Sequence, residues 1–459
     1  MDTPKKFVKK PTRSKSGIVP LTVVLPPKKC NHGTCLYCPG GDFVPQSYTD
    51  KSPAIMRAMA LNYDVTEQVK TRLNSIMAMG HPTDKLEVII IGGTFLEYEN
   101  DFKYNYIKGI YDALNGVVSK DLDEAKKINE TAKNRIVALC IENRPDSCSE
   151  EEIKQMLSYG TTRIEIGVQM PDDFLYKKVN RGHSVEEVVS ATKRLKDSGF
   201  KVGYHIMPGL PFSTIENDKE KFKLVFSDSR FRPDQLKIYP CQIIESSPLS
   251  RIYKKINYRP YTNSEIHELV KWMMHIVPRY CRVMRMMREI PKEKMKVEAA
   301  STSMRSDIFE ELKNEGGIEE IRFREIGRQF GKVNLDVFMK ETQYDSSDGK
   351  EIFLEFVNKN DNLFGLLRLR FPSKGVFISE LKNAAIVREL HVYGQALKLG
   401  DSAGKSQHRG LGKKLLAEAE KISKKEGYKK IAVISGVGVR EYYSKLGYKL
   451  EGDFMVKYL

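Results

Sequence analysis

The chain has 459 residues and 41% hydrophobic content, too long for one ordinary core and apolar enough to fold two or three domains. Its 76 Lys and Arg against 60 Asp and Glu leave a net charge of +16, which favours a polyanionic partner, nucleic acid ahead of membrane. A lysine-rich thermophile surface is the plainer reading of the same charge. No apolar run approaches the roughly 20 residues of a membrane helix. At the N-terminus the lysines are followed by Pro11, Thr12 and Ser14 and not by an apolar segment, which argues against a secretory signal. Seven cysteines, mostly isolated, fit a reducing compartment, so a cytoplasmic protein is expected.

Residues 1–20 carry Lys5, Lys6, Lys9, Lys10, Arg13 and Lys15 against the single acid Asp2 and read as a flexible basic arm suited to phosphate contacts. Leu21 to Leu25 is a short strand that delivers Cys30. Cys30, Cys35 and Cys38 are followed at once by Pro39, Gly40 and Gly41, a turn able to curl around something bound to all three sulfurs. Cys140, Cys148, Cys241 and Cys281 stand alone, so a closed four-ligand zinc site lacks its second cysteine pair. A zinc knuckle completed by His32 is the competing reading; a 4Fe-4S cluster on three cysteines leaves one iron open.

A strand-helix alternation follows, the signature of a parallel sheet. Strands are expected at Leu86 to Ile91, Arg135 to Ile141, Arg163 to Val168, Lys201 to Met207 and Gln235 to Tyr239, with a long helix from about Ala54 to Met79 and another from near Ser184. With the first strand these make six units, an open barrel short of the full eight. Polar and glycine-rich residues cluster after the strands: Gly92, Gly93 and Thr94, then Glu142 to Asp146, then Gln169 after the in-strand Glu165. Gly92-Gly93 taken alone is a tight turn, and Glu165 and Gln169 taken alone are strand-end polar residues. His183 and His205 read as structural histidines and are left unassigned. Arg282, Arg285 and Arg288 fall at i, i+3 and i+6, one face of a helix that is either solvated or a phosphate track. Met304 to Phe330, charged and with Gly316-Gly317 in its middle, reads as a hinge-like connection.

Beyond it the pattern changes to an antiparallel meander at Ile352 to Val357, Leu363 to Arg370 and Ala384 to Val392. Gln407, His408, Arg409, Gly410 and Gly412 then open a helix, Lys413 to Lys425, in the Q/R-x-x-G-x-G/A pattern of a loop whose amides approach a pyrophosphate. A Walker A reading around Gly404-Lys405-Ser406 fails by one residue, counted from Gly400. Lys430 to Ser435 is a further strand. Tyr442 and Tyr443 follow in a helix, and adjacent residues cannot share a face, so one of the pair is core.

The cysteine segment, with Tyr37 before the last thiol, resembles that of radical S-adenosylmethionine (SAM) enzymes, although its first gap holds four residues and the usual one holds three. Gly92, Gly93 and Thr94 resemble their GGE-like motif, with Thr94 in place of the acid. The loop from Gln407 to Gly412 resembles GNAT-type acetyltransferases. Together with Lys85 to Phe95, Ile141 to Asp146, Arg163 to Gln169, Arg388 to Gly394 and Ser435 to Arg440, these segments resemble the family of the Elongator catalytic subunit, across nearly the whole chain. The implied fold is α/β: a partial, open parallel β/α barrel of radical SAM type at 21–300, a linker at 301–330, and a GNAT-type α+β domain at 331–459.

The implied activity is that of a tRNA-modifying enzyme, a carboxymethyluridine synthase acting on C5 of the wobble uridine with a SAM-derived radical and acetyl-CoA. The resemblance places a 4Fe-4S cluster on Cys30, Cys35 and Cys38, and SAM on Gly92, Gly93, Thr94, Glu165 and Gln169. It places acetyl-CoA on Lys85, Glu389, Leu390, His391, Val392, Gln407 to Gly412 and the tyrosine pair Tyr442 and Tyr443, with Tyr443 and Lys85 in catalytic roles. Some relatives hold zinc on linker cysteines; Glu320 and Phe323 stand in that stretch here, so no zinc is expected. The implied partner is the anticodon stem-loop of tRNA, in a prokaryotic or archaeal-type member that works without the other Elongator subunits and without a membrane. A homodimer and the identity of the electron donor stay open. The rival readings are a protein lysine N-acetyltransferase with a structural radical SAM domain, a tRNA-binding scaffold with vestigial sites, and a radical SAM enzyme on another small substrate.

Overall fold

The computed structural model describes residues 8–10, 14–288, 290–297, 304–329, 334–394 and 410–459. Seven parallel strands make the first sheet in sequential order: β1 (Val19–Val24), β2 (Lys85–Ile91), β3 (Arg135–Asn143), β4 (Arg163–Gln169), β5 (Lys201–Ile206), β6 (Gln235–Ile238) and β7 (Arg282–Arg285). β1 and β7 are its two unpaired edges, so the barrel is open on one side. Strands this short and apolar, with helices between them, can bury both faces only in this arrangement, and β4 is buried from Arg163 to Val168. Ser149, Ser184 and Thr262 each start a helix with a reciprocal capping box to Glu152, Glu187 and Glu265.

Several expectations are corrected. The barrel has seven strands and not six, because Arg282 and Arg285 lie in β7 and not on a helix. The helix expected from Ala54 to Met79 is two helices, Pro53–Met59 and Val65–Ala78. They are broken where Asn62 and Tyr63 take φ of 49° and 58°, and restarted by Asp64, which caps Glu67 N at 2.8 Å. In the connecting region, residues 304–315 form a helix (Met304–Glu315). Where the basic arm is described it is docked: Lys9 O meets His81 Nε2 at 3.0 Å, and Ser16 O accepts from His391 Nε2 at 2.7 Å. Among the described residues no helix is long and apolar enough to cross a membrane.

The second sheet holds β8 (Phe338–Ser346), β9 (Gly349–Val357), β10 (Leu363–Phe371), β11 (Ala384–Val392), β12 (Lys430–Val433), β13 (Lys449–Glu451) and β14 (Phe454–Tyr458), ordered β13-β14-β12-β11-β10-β9-β8. Only the β11–β12 pair is parallel. This sheet seats on the N-terminal rim of the barrel. A Cβ on Gly436 would lie 2.1 Å from Val137 O of β3, so the backbone there comes closer than any side chain permits. Buried ion pairs fasten the rim: Asp234 accepts from both Nη atoms of Arg388 at 2.7 Å, Arg370 Nη2 reaches Asp197 at 2.6 Å, and Glu355 takes Arg279 and Arg324 at 2.6 Å each.

Candidate active site

A cavity of about 860 Å³ runs through the open barrel from the cysteine loop to the end of β11. Its walls carry Cys30, Cys35 and Cys38 at the C-terminal end of the strands and Glu389, His391 and Tyr393 at the other. Cys35 and Cys38 are buried and Cys30 is half-buried. Burial, with Cys38 close by, pushes the Cys30 thiol up to about 11. Cations surround the sulfurs: Arg181 Nη1 lies 3.7 Å from Cys35 Sγ, and Arg288 donates to Ser47 O while Ser47 Oγ sits 3.1 Å from Cys38 Sγ.

That setting suits a thiolate-bound iron-sulfur cluster of net negative charge. His32 Nε2 lies 3.1 Å from the Arg144 guanidinium and 3.3 Å from Cys35 Sγ, and burial with Arg144 and Arg181 pushes its protonation down to about 4, so the ring beside the sulfurs is neutral.

Beside the cysteines, Gly93, Thr94 and Gln169 line the cavity. Thr94 Oγ1 is 3.8 Å from Cys30 Sγ, and Gln169 sits at φ 65° as β4 ends. Gly92 does not reach the cavity wall; its φ of 124° turns the chain against Leu25, where a Cβ would find the Leu25 nitrogen at 3.1 Å. Glu165 is held inside the barrel wall. Arg163 Nη2 and His205 Nε2 each bond it at 2.8 Å and Lys237 pairs with it. Burial opposes its ionisation, and Lys237, Arg163 and His205 outweigh that, holding the carboxyl well below the usual range. Lys237 also reaches Glu142 at 2.7 Å, and Glu142 accepts from Tyr48 at 3.2 Å. Arg163, Glu165, His205, Lys237 and Glu142 thus form one network, which Arg163 extends to Glu87 at 2.6 Å, and sequence reasoning missed His205 and Lys237 in it.

The end of β11 divides its residues between two faces, as a period of two requires. Leu390 and Val392 face the helix Leu411–Lys425: a Cβ on Gly412 would meet Tyr442 Oη at 3.0 Å, Val392 at 3.6 Å and Leu390 at 4.0 Å. Glu389 and His391 face the barrel cavity. Lys201 and Arg368 bind Glu389 at 2.7 and 2.8 Å, and His391 stacks on Tyr393 with ring centroids 4.3 Å apart. Arg388 has no partner on β10, a bulge that sends it to Asp234 on the barrel side with Glu389.

Of the tyrosine pair, Tyr442 borders the Gly412 site, whereas Tyr443 is buried in the core of the second sheet against Tyr448. Lys85 begins β2 at the rim, opposite Arg135 in register, whose guanidinium is 3.9 Å from Glu441. Burial pushes its ammonium down. Gly410 caps the helix with φ 73°; Gln407, His408 and Arg409 lie outside the described residues. Glu320 is fully buried and accepts from Val283 N and Phe323 N at 2.6 Å each, the work of a cap. His183 is structural, with its ring against Tyr176 and its Nε2 near Gly167 O.

Residues 24–225 match the Radical SAM superfamily, and residues 233–315 match the Radical_SAM C-terminal domain. A tRNA uridine(34) acetyltransferase of Dehalococcoides mccartyi (strain CBDB1) is 46% identical over 98% of this chain and 100% of its own length. Elongator complex protein 3 of Schizosaccharomyces pombe (strain 972 / ATCC 24843) is 38% identical over 99% of this chain and 86% of its own. The solved structure of the archaeal Methanocaldococcus infernus Elp3 with N-terminus deletion (1-46) superposes with a TM-score of 0.86 at 40% identity, covering 97% of this chain and 100% of that one.

Proposed function

The chain belongs to the family of the tRNA uridine(34) acetyltransferases and Elongator complex protein 3, and we propose that it modifies uridine 34 of tRNA, using radical SAM chemistry and acetyl-CoA to place a carboxymethyl group on C5. The observation that supports this most directly is the single cavity joining the cysteine loop to the end of β11. C5 of uridine is a poor nucleophile and an acetyl methyl a poor acid, so polar chemistry between them is slow. The cluster and SAM, once bound, supply a carbon radical able to take hydrogen from such a methyl group.

The residues of the chain place and shield the reactants. Cys30, Cys35 and Cys38 hold the cluster; Gly93, Thr94 and Gln169 receive SAM, with Gly92 shaping the turn. Glu165, pinned by Arg163, Lys237 and His205, keeps β4 in place beneath it. Leu390, Val392, Gly412 and Tyr442 form the seat for the acetyl thioester, with Tyr443 supporting it from the core. Glu389 and His391 face the space where the two reactants meet.

The test is anaerobic: reconstituted protein with SAM, a reductant, methyl-labelled acetyl-CoA and unmodified tRNA, followed by digestion of the tRNA. Label in carboxymethyluridine is expected, and Cys35→Ala is expected to abolish it. 5′-Deoxyadenosine without label in tRNA would overturn the substrate assignment. Acetylated lysines formed without SAM would move the activity to protein acetylation.

A further inference from the structure

The open side of the barrel is asymmetric. On the β1 side the strand gives the cavity wall Ile18, Pro20 and Thr22, with Lys10, Arg57 and Arg72 spread over the segment before it and the two helices after it; on the β7 side six arginines gather, Arg282, Arg285, Arg288, Arg305, Arg322 and Arg328. Arg282 and Arg328 share Glu325, at 2.9 and 3.4 Å. Arg305 and Arg322 are arranged differently. Each donates through Nη1 to the same backbone oxygen, Met284 O, at 3.1 and 2.9 Å, and Arg305 Nη2 is buried with no partner among the described residues. The nearby Glu320 spends its carboxylate on the backbone amides of Val283 and Phe323.

Two guanidiniums converging on one carbonyl leave several N–H groups turned to a shared space, the geometry that a phosphate oxygen set satisfies. Burial, reinforced by Arg305, Arg328 and Arg282, pushes Arg322 down to about 8. Burial, partly offset by Glu320 and reinforced by Arg328, Arg282 and Arg285, pushes Arg305 down to about 10. A guanidinium stays protonated at neutral pH, so the free protein carries this as strain that an anion relieves.

We propose that Arg305 and Arg322 are a phosphodiester-binding site, which takes the backbone of the single-stranded RNA whose base enters the barrel through the gap between β1 and β7. This rests on the tRNA reading above. The alternative phosphate source, the pyrophosphate of acetyl-CoA, is served on the opposite face of β11, where the helix Leu411–Lys425 begins beside Leu390 and Val392.

The experiment uses the full chain and its Arg305→Gln/Arg322→Gln variant, with each single variant alongside. Three quantities are read: thermal unfolding without RNA, affinity for unmodified tRNA as a function of KCl, and affinity for acetyl-CoA. The log–log salt slope is expected to fall by roughly 1.4 in the double variant and about half that in each single one, as for loss of single-strand phosphate contacts. Acetyl-CoA affinity is expected to stay within about twofold, since the coenzyme phosphates lie elsewhere, and the unliganded variant to unfold at a higher temperature than the parent. An unchanged slope overturns the proposal, whichever way stability moves. A fall in acetyl-CoA affinity with the slope intact assigns the site to the coenzyme and also overturns it. A changed slope in a protein whose tRNA gains no carboxymethyl label retains the site while the proposed reaction fails.

Discussion

A buried group of arginines and a half-buried pair lie within this chain, and they are balanced in opposite ways. At the rim, where the second sheet meets the barrel, Arg279, Arg370 and Arg388 each find a carboxylate within 2.9 Å, and Arg368 reaches Glu389 at 2.8 Å. On the β7 wall, Arg305 and Arg322 share a backbone oxygen and, among the described residues, make no ion pair. The same side chain is thus a fastener in one place and an unfilled binding group in the other. The presence of its counter-charge tells the two apart.

Among the rim pairs, loss of Asp234 has the largest expected effect. Its carboxyl lies between Arg388 and Arg368, and these cations with Lys196 overcome burial to hold it far below the usual range. Asp234→Asn strands buried guanidiniums and is expected to cost about 3–5 kcal/mol in denaturant unfolding. With a depressed folded value, its stabilisation is present above about pH 4 and is lost as pH falls further. A loss under about 1 kcal/mol would show that the rim pairs are not fasteners.

Asp218 offers the negative counterpart, a buried carboxylate bonded only by neutral donors: Ser213 Oγ and Gly209 N at 2.6 Å and Tyr261 Oη at 2.9 Å. Burial pushes it up to about 6. A raised folded value gives stability that is full below about pH 4 and lost as pH rises through the folded value. Urea unfolding of the parent against Asp218→Asn from pH 4 to pH 7.5 is expected to shift by on the order of 2 kcal/mol, with the parent losing ground as pH rises. A difference that stays flat would mean the carboxyl titrates normally. The smallest effect belongs to Lys29–Asp42, 2.5 Å apart with both side chains about 60% exposed. Asp42→Asn is expected to change stability by less than about 0.5 kcal/mol, and a larger change would undo the argument from burial.

What the sequence disclosed follows the same division. β2 and β3 were legible as apolar runs and β4 to β6 as short strands between helical stretches, with polar or glycine-rich residues after most of them that line the cavity. β7 was not, because Arg282-Val-Met-Arg285 has guanidiniums at both ends and the same spacing fits a helix face. β8 was missed because it is an edge strand, polar and largely exposed along its length. The three cysteines, Gly93, Thr94 and Gln169 were readable as local patterns. Arg181, His205 and Lys237 were not, since each meets its partners across large sequence separations, as when Arg181 reaches Cys35 from 146 residues away. The split of Glu389 to Val392 between two faces follows from strand geometry and was hidden by treating the motif as one contact surface.

The close seating of Gly436 on Val137 and the carboxylate for each rim guanidinium bear on how such a chain is inherited. Domains strung on a linker can be shuffled between genes, because each keeps its own surface. Here either half alone would bare charges that its neighbour neutralises, so exchanging one half for a foreign counterpart requires compensating change at Asp234, Asp197, Arg370 and Arg388 together. The junction itself selects against recombination, and the two halves are constrained to drift as a single lineage.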